Sequence, residues 1–420
     1  MKTLKLKKTS ANTFMVDVKK KSAGIETQSR AADASKMSKT LVFLMAAGSG
    51  LTVANIYYAQ PLLEAIRQSF GMSVATTGLI ITASQLGFAL GLAFLVPLGD
   101  LMERRVLVVW MTVGISVCLA GMALAPFSSI LLAAALMMGA LSVVAQVLVA
   151  FAATLAHPAE RGQVVGTVMS GLLLGILLAR TAAGYLAQLE GWRAVFGVAS
   201  GLMIALAAVL YRGLPAYRSN IGVSYSALMK SVLSLLMEEP VLRLRAFYGA
   251  IAFGSFSVLW TPLALLLSRP PYQYSSGTIG IFGLAGVAGV LAASVAGRMA
   301  DMGWTRQMTG ITSALLAFSW LPLKLGGHSV LMLVLGILVL DLSVQGLHIT
   351  NQSEIYRLRP DARSRITAAY MAGFFAGGVL GSALSSFAYA HSGWQGVCLV
   401  GTGFGTVATV LWLLTLRRAA

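Results

Sequence analysis

Residues 329–352 read SVLMLVLGILVLDLSVQGLHITNQ. From Val330 to Leu340 the run carries no charge, and beyond Asp341 the residues Gln345, His348 and Gln352 interrupt a largely apolar or small-residue background. Wound as a helix at about 1.5 Å per residue, such a stretch covers the roughly 30 Å of a bilayer's hydrocarbon core. The four polar residues stand at i, i+4, i+7 and i+11, which places them along one helical face. A polar stripe on an apolar spanning helix faces water or another helix, because lipid leaves its hydrogen-bonding groups unsatisfied.

Outward from this segment the rest of the chain has the same character. Hydrophobic residues make up 57% of the 420, charged residues 11%, and the mean hydropathy is +0.80. Soluble domains carry roughly 25% charged residues, so a soluble globule is excluded. The formal net charge is +17, but it is concentrated in residues 1–39, a polar tail with ten Lys or Arg against three acids, and in short segments between apolar runs. That distribution points to membrane topology and lipid headgroups, and no nucleic-acid partner is expected. Cys118 and Cys398 both lie in apolar runs, so neither a disulfide framework nor a metal site is implied. The tail lacks the short apolar core and cleavage site of a signal peptide; it is expected to be disordered.

Apolar runs fall near 40–63, 75–98, 106–126, 130–152, 163–188 and 194–211, and again near 243–267, 277–299, 308–325, 329–352, 365–390 and 396–416. The expectation is an all-α membrane protein of twelve transmembrane helices in two six-helix pseudo-repeat bundles, 40–211 and 243–416. A cytoplasmic linker, 212–242, joins them, with a surface helix over Tyr225–Met237, and residues 417–420 form a cytoplasmic end. If the N-terminus is inside, inner segments hold 26 of the 31 Lys and Arg and outer loops four, which puts both termini in the cytoplasm. The halves repeat at a near-constant offset. Pro61 and Pro262, like Asp100 and Asp301, differ by 201; Pro158 and Pro360, Arg161 and Arg363, Gly171 and Gly373, Gly175 and Gly377, and Gly191-Trp192 and Gly393-Trp394 differ by 202. Two parallel repeats meeting around a midplane site form a transporter architecture.

Gly297-Arg298-Met299-Ala300-Asp301-Met302-Gly303-Trp304-Thr305-Arg306, after the eighth run, resembles the signature loop of the major facilitator superfamily. Gly99-Asp100-Leu101-Met102-Glu103-Arg104-Arg105, after the second, keeps the Asp and paired Arg, with Val96 and Glu103 at glycine positions. The resemblance covers nearly all of 40–416. It implies the major facilitator fold, with Asp100, Arg104, Arg105, Gly297, Asp301 and Arg306 forming cytoplasmic latches that hold one conformation and release in the other. The plain alternative is loops that only set topology. Residues 55–61 and 351–365 further resemble bacterial transporters near the drug and metabolite efflux group. Two efflux patterns are broken. Ala135 stands where such proteins carry an Arg before Gly139, and Gly171 and Gly175 are followed by Ile176, Ala179 and Arg180 instead of the antiporter Pro and Gly-Gly.

Only Asp341 and Arg180 place a full charge well inside the apolar runs. Insertion scales put such a charge at roughly 2.5–3.5 kcal/mol at the helix centre, so each needs a reason to be there. As a substrate and proton pathway the sequence offers Asp341 and Arg180, joined by His348, Gln345, Asn55, Tyr58 and Gln146 on runs that the resemblance makes cavity-lining. Interhelical polar packing is the alternative for each. Tyr57, Trp260 and Tyr389, near the ends of runs, are expected to be interfacial anchors. No G-x-x-x-x-G-K-[ST] occurs, nor H-E-x-x-H, nor a pair of intramembrane aspartates, so ATP drive and an intramembrane enzyme are not expected and no cofactor is implied. The reading is a monomeric secondary transporter of a bacterial inner membrane, contacting lipid. It moves a small organic solute by alternating access, with proton-coupled export (an antiporter) ahead of uptake or uniport of an anionic metabolite, and a transporter-like sensor last.

Overall fold

The computed structural model describes residues 37–158, 160–218, 225–286, 289, 295–300, 302–358 and 363–417. Most of the basic tail, six residues of the linker, Asp301 and the last three residues lie outside that set. Among the described residues all regular structure is helical. The first half contains α1 (Lys39–Ala54), α2 (Leu63–Phe70), α3 (Val74–Phe94), α4 (Arg104–Leu124), α5 (Ser128–Leu141), α6 (Val144–Leu155), α7 (Arg161–Glu190) and α8 (Trp192–Gly213). Then come α9 (Tyr225–Glu238), α10 (Pro240–Trp260), α11 (Leu263–Leu267), α12 (Ser276–Ile281), α13 (Thr305–Phe318), α14 (Trp320–Leu325), α15 (Val330–Ile355) and α16 (Arg363–Arg417).

Nine helical stretches among the described residues are long and apolar enough to cross a membrane. The last of them is divided at Gly393, whose φ of 58° and ψ of −151° are not helical. Shorter apolar helices, Lys39–Ala54 and Ser276–Gly286, fall where the first and eighth spans are expected. The repeat has a backbone counterpart: Gly191, the partner of Gly393 in the 202-residue offset, also takes a positive φ, 81°. Each glycine turns the chain into a Trp whose indole N–H is anchored. Trp192 donates to Ser69 Oγ at 2.8 Å, and Trp394 to the Leu323 carbonyl at 2.8 Å. Pro61 and Pro262 likewise mark matched interruptions, after α1 and after α10, since proline removes a helical donor and crowds the preceding turn.

Contacts among the described residues gather the connecting segments into two groups. Arg269 lies 4.0 Å from Glu64, and Tyr272 Oη donates to the Gly326 carbonyl, so these loops gather at what we call the arginine-poor end. Arg104, Arg245, Arg306 and Arg365 lie at the arginine-rich end with the linker helix α9, where Arg365 donates to Ser231 and Tyr225 to the Phe94 carbonyl.

Close packing is built on small residues. A Cβ on Gly175 would stand 2.2 Å from the Gly50 carbonyl oxygen, and one on Gly381 would stand 2.1 Å from the Gly254 carbonyl oxygen. Backbones at that spacing exclude any side chain, the packing mode expected of membrane helices. The two halves meet across α3 and α16, where Thr82 and Ser382 share a hydrogen bond of 2.9 Å and the rings of Phe88 and Phe375 sit 4.3 Å apart. They meet also across α7 and α12, where Thr181 Oγ1 donates to the Gly280 carbonyl at 3.0 Å, and Gln188 accepts from Ser275 at 3.0 Å. The α7–α12 contacts and the Arg269–Glu64 pair belong to the arginine-poor end. Toward the other end of α7, the Cβ positions of Gly162 and Gly166 meet nothing within 4 Å among the described residues.

Candidate functional site

Arg180 lies on α7 and is 4% exposed, too deep for water to hold its charge. Its Nε donates to Gln60 Oε1 at 2.5 Å, and its guanidinium carbon lies 4.0 Å from the Trp260 ring centroid, 4.8 Å from Tyr57 and 5.7 Å from Phe256. A guanidinium enclosed by π-faces is held by ring quadrupoles, worth about 2 kcal/mol where water is excluded. One end of the group, Nη2, has no hydrogen-bond partner. Gly283 permits the placement, since a Cβ there would stand 2.9 Å from Arg180 Cβ.

Asp341, on α15, is also 4% exposed. It accepts from Trp260 Nε1 at 3.3 Å, so the indole touches the cation with its face and the carboxylate with its edge. Trp260 is the last residue of α10, where Pro262 interrupts the helix, and Gln60 opens the turn at Pro61. The two proline breaks therefore deliver one polar partner each to a charge on another helix. Gln60, Pro61, Arg180 and Trp260 surround a cavity of about 10 Å3, at the lower limit for one water. A small polar cluster thus joins Gln60 and α7 of the first half to α10 and α15 of the second.

The other expected pathway residues do not join it. Asn55 turns its Nδ2 back to the Leu51 and Thr52 carbonyls, with Met203 Sδ at 3.5 Å on α8, and its Oδ1 is unpartnered. His348 shares a 2.9 Å hydrogen bond with Tyr370 and lies against Phe374, so α15 and α16 hold it between them, the packing alternative. Gln345 lies beside Gly289, Tyr58 is buried without a hydrogen bond among the described residues, and Gln146 is half-buried on α6. The anchor assignment for Tyr57 and Trp260 is corrected. They are 5% and 3% exposed and pack on Arg180, because a buried guanidinium needs aromatic faces more than the interface needs rings. What the sequence reading passed over is their contact with Arg180, together with that of Gln60 and Phe256. The signal available was their position next to the repeated prolines.

The latch residues divide. Arg104, 7% exposed, bonds Asp100 Oδ1 at 2.9 Å, the Gly99 carbonyl at 2.9 Å and Thr154 Oγ1 at 2.7 Å, with Phe151 and Tyr217 on its faces. Arg105 pairs with Glu103 at 3.2 Å nearer the surface. In the second copy Gly297 approaches Ile349, Arg306 donates to the Leu416 carbonyl at 3.2 Å, and Asp301 lies outside the described residues.

The sequence profile of the Major Facilitator Superfamily matches residues 42–357 and 247–420. The chain belongs to that family. It is a multi-pass membrane transport protein, not an enzyme. An uncharacterised transporter of Escherichia coli O157:H7, YgaY, is 51% identical over 380 residues, covering 90% of this chain and 96% of the relative. A Haemophilus influenzae protein named "Probable sugar efflux transporter" is 22% identical over 386 residues, 91% of this chain and 95% of its own length. In fold, the chain matches a bacterial homologue of the human lysosomal transporter Spinster in an inward-facing, occupied conformation, with a TM-score of 0.73 at 14% identity over 91% of this chain and 98% of that one. It also matches the nucleoside transporter NupG, with a TM-score of 0.68 at 12% identity over 89% and 99%. In this superfamily member the Arg180–Trp260–Asp341 cluster therefore lies where its two halves meet.

Proposed function

We propose that the protein is a monomeric, proton-coupled exporter of a small organic solute, working by alternating access in the inner membrane of a bacterium. The arginine-rich end faces the cytoplasm, as the 26-to-4 distribution of Lys and Arg favours. The bundles 40–211 and 243–416 rock about the central cluster, with 212–242 as the cytoplasmic tether. The observation that carries this reading is the placement of one buried carboxylate, Asp341, in a cluster that ties both halves together through Trp260, Arg180 and Gln60. A proton on Asp341 removes the charge that orients the indole and balances the guanidinium. In the outward-open state Asp341 faces the outer pathway and takes up that proton, which leaves on the cytoplasmic side once the arginine-poor end has closed, so that proton entry drives solute exit. The latches at Asp100, Arg104 and Arg105 and at Gly297, Asp301 and Arg306 govern the opposite face. Gln345, His348, Asn55, Tyr58 and Gln146 flank the route the solute takes. The relative named for sugar efflux supports the outward direction.

The test is proton movement in energised everted vesicles carrying the wild type or Asp341→Asn, challenged with a panel of drugs, sugars and other metabolites. Solute-dependent release of an acid-trapped dye by the wild type alone supports the reading; equal release by both removes Asp341 from coupling. A second reading, uptake or uniport of an anionic metabolite, is favoured by the unpartnered Nη2 of Arg180, a ready donor for a carboxylate. Silence in the dye assay together with anion flux lost in Arg180→Gln would select it. Binding without flux in either assay would leave a sensor.

A further inference from the structure

A second cavity, of about 290 Å3, opens at the arginine-rich end inside the C-terminal half, away from the Arg180 cluster. Arg245 and Tyr248 of α10, Thr305, Arg306 and Thr309 at the start of α13, and Glu354 near the end of α15 form its polar wall. Three observations make it a receptive site for negative charge. The first turn of α13, a 14-residue helix, has no side-chain cap on Trp304, so its N–H groups and the positive end of its dipole are unanswered. The basic groups are incompletely paired. Glu354 stands 3.8 Å from both Arg245 and Arg357, beyond hydrogen-bond length, and Arg306 contacts no carboxylate among the described residues and donates only to the Leu416 carbonyl. Finally, two buried polar atoms on the wall are under-satisfied: Arg245 Nε has no hydrogen-bond partner, and the hydroxyl of Tyr248, a residue 1% exposed, has only a loose contact with Thr415. Buried donors are rarely left unpaired, and each costs about 1–3 kcal/mol when they are.

We propose that this crevice binds a phosphate-type oxyanion, held by Arg245 Nε, the Tyr248 hydroxyl and the Arg306 guanidinium at the N-terminus of α13. A tetrahedral oxyanion offers acceptors in several directions, matching donors that converge from two helices, whereas a carboxylate presents two in one plane. Arg245 is kept in place by Thr309 Oγ1 at 2.9 Å and Asn351 Oδ1 at 3.4 Å, so the cation is positioned before any ligand arrives. The group can come from an anionic lipid headgroup or from free phosphate; the wall also includes Trp412 from the last turns of α16, a residue type that favours the headgroup level. By joining α10 and α13 at one end, the bound anion stiffens the C-terminal half. This inference does not depend on the solute or on proton coupling.

Full-length protein, delipidated in an uncharged detergent, is melted against inorganic phosphate with chloride at matched ionic strength. In parallel it is placed in nanodiscs of phosphatidylglycerol in phosphatidylcholine, and lipid retention is read by native mass spectrometry. Saturable stabilisation by phosphate, with displacement of retained phosphatidylglycerol, is the expected result. Retention of phosphatidylglycerol without a phosphate effect assigns the headgroup as source, and the converse assigns the free ion. Arg306→Gln and Tyr248→Phe are each expected to weaken binding about tenfold, the loss of one charge-assisted hydrogen bond. Arg306→Gln, at the surface, should melt as the wild type does in chloride, so a folding failure of the Tyr248 variant would not obscure the answer. No response to either probe beyond chloride, or wild-type binding by a folded Arg306→Gln, overturns the proposal.

Discussion

Trp260 presents its ring face to Arg180 at 4.0 Å and leaves its indole N–H for Asp341. A single side chain thus couples two opposite charges that, among the described residues, make no direct ion pair. Separate substitutions can take the two functions apart. Trp260→Phe keeps an aromatic face for the guanidinium and deletes the donor to Asp341; Trp260→Leu deletes both. In the dye-release assay, Trp260→Phe is expected to reduce solute-driven proton movement about tenfold, and Trp260→Leu to abolish it, since a hydrogen bond to a charged group contributes roughly 1.5–3 kcal/mol. Full coupling in Trp260→Phe would show that the indole only fills space.

Gln60 gives a second test of the same cluster. It is the one hydrogen-bond acceptor of the Arg180 side chain among the described residues, at 2.5 Å. Gln60→Leu leaves a buried guanidinium with π-faces alone, and breaking a buried polar partner is expected to cost about 1–3 kcal/mol. The purified variant should melt several degrees below the wild type, whereas Gln146→Leu, on a half-buried position with no side-chain hydrogen bond among the described residues, should not.

The glycines of α7 separate packing from space. A Cβ on Gly175 meets the Gly50 carbonyl at 2.2 Å and one on Gly171 meets the Ala46 carbonyl at 2.4 Å, but one on Gly166 meets nothing within 4 Å. Gly175→Val forces α1 and α7 apart and is expected to destabilise by about 1–3 kcal/mol or more. Gly166→Ala, on the same helix, should be neutral to within about 0.5 kcal/mol or slightly stabilising. Thermal unfolding in detergent distinguishes them, and equal melting of the two would contradict the backbone contact.

How much of this was legible in the sequence follows from what each feature depends on. Apolar helices and the linker helix were readable because lipid imposes length and apolarity locally, and the α9 helix, Tyr225–Glu238, lies within one residue of the expected Tyr225–Met237. Arg180 and Asp341 stood out for the same local reason. Their partners did not, since Trp260 and Tyr57 near the ends of apolar runs look the same whether they face headgroups or fold inward over a cation. Only the breaks at Pro61 and Pro262, set by backbone chemistry, turn Gln60 and Trp260 toward that charge. Likewise the arginine pair 104–105 reads as one motif, yet the fold buries one member and leaves the other near the surface.

That inequality is itself testable. Arg104 satisfies Asp100, a backbone carbonyl and Thr154 while lying between Phe151 and Tyr217, so Arg104→Ala strands several groups at once and is expected to cost about 3–5 kcal/mol. Arg105, part-exposed with Glu103 as its partner at 3.2 Å, is expected to cost no more than about 1 kcal/mol on removal. Melting curves of the two alanine variants should differ widely, and comparable losses would mean that the motif acts through charge alone.

At the arginine-poor end, Glu64 supplies a pH-dependent contact outside the spans. Burial raises its carboxyl, but hydrogen bonds from Arg67 and Gln68 and the charges of Arg67 and Arg269 outweigh that and hold it below its ordinary value near 4.5. Because the folded state binds this proton less readily than the unfolded chain, the contribution is complete above the ordinary carboxylate value. It is lost as pH falls through the lower, folded value. Arg269 belongs to the C-terminal half and Glu64 to the N-terminal half, 4.0 Å apart, so acidification weakens a tie between them as well as the helix pair Arg67–Glu64 at 2.7 Å. The expected outcome is a melting temperature that declines below pH 4.5 in the wild type and declines less in Glu64→Gln. Identical pH profiles for the two proteins would place the acid-sensitive step elsewhere.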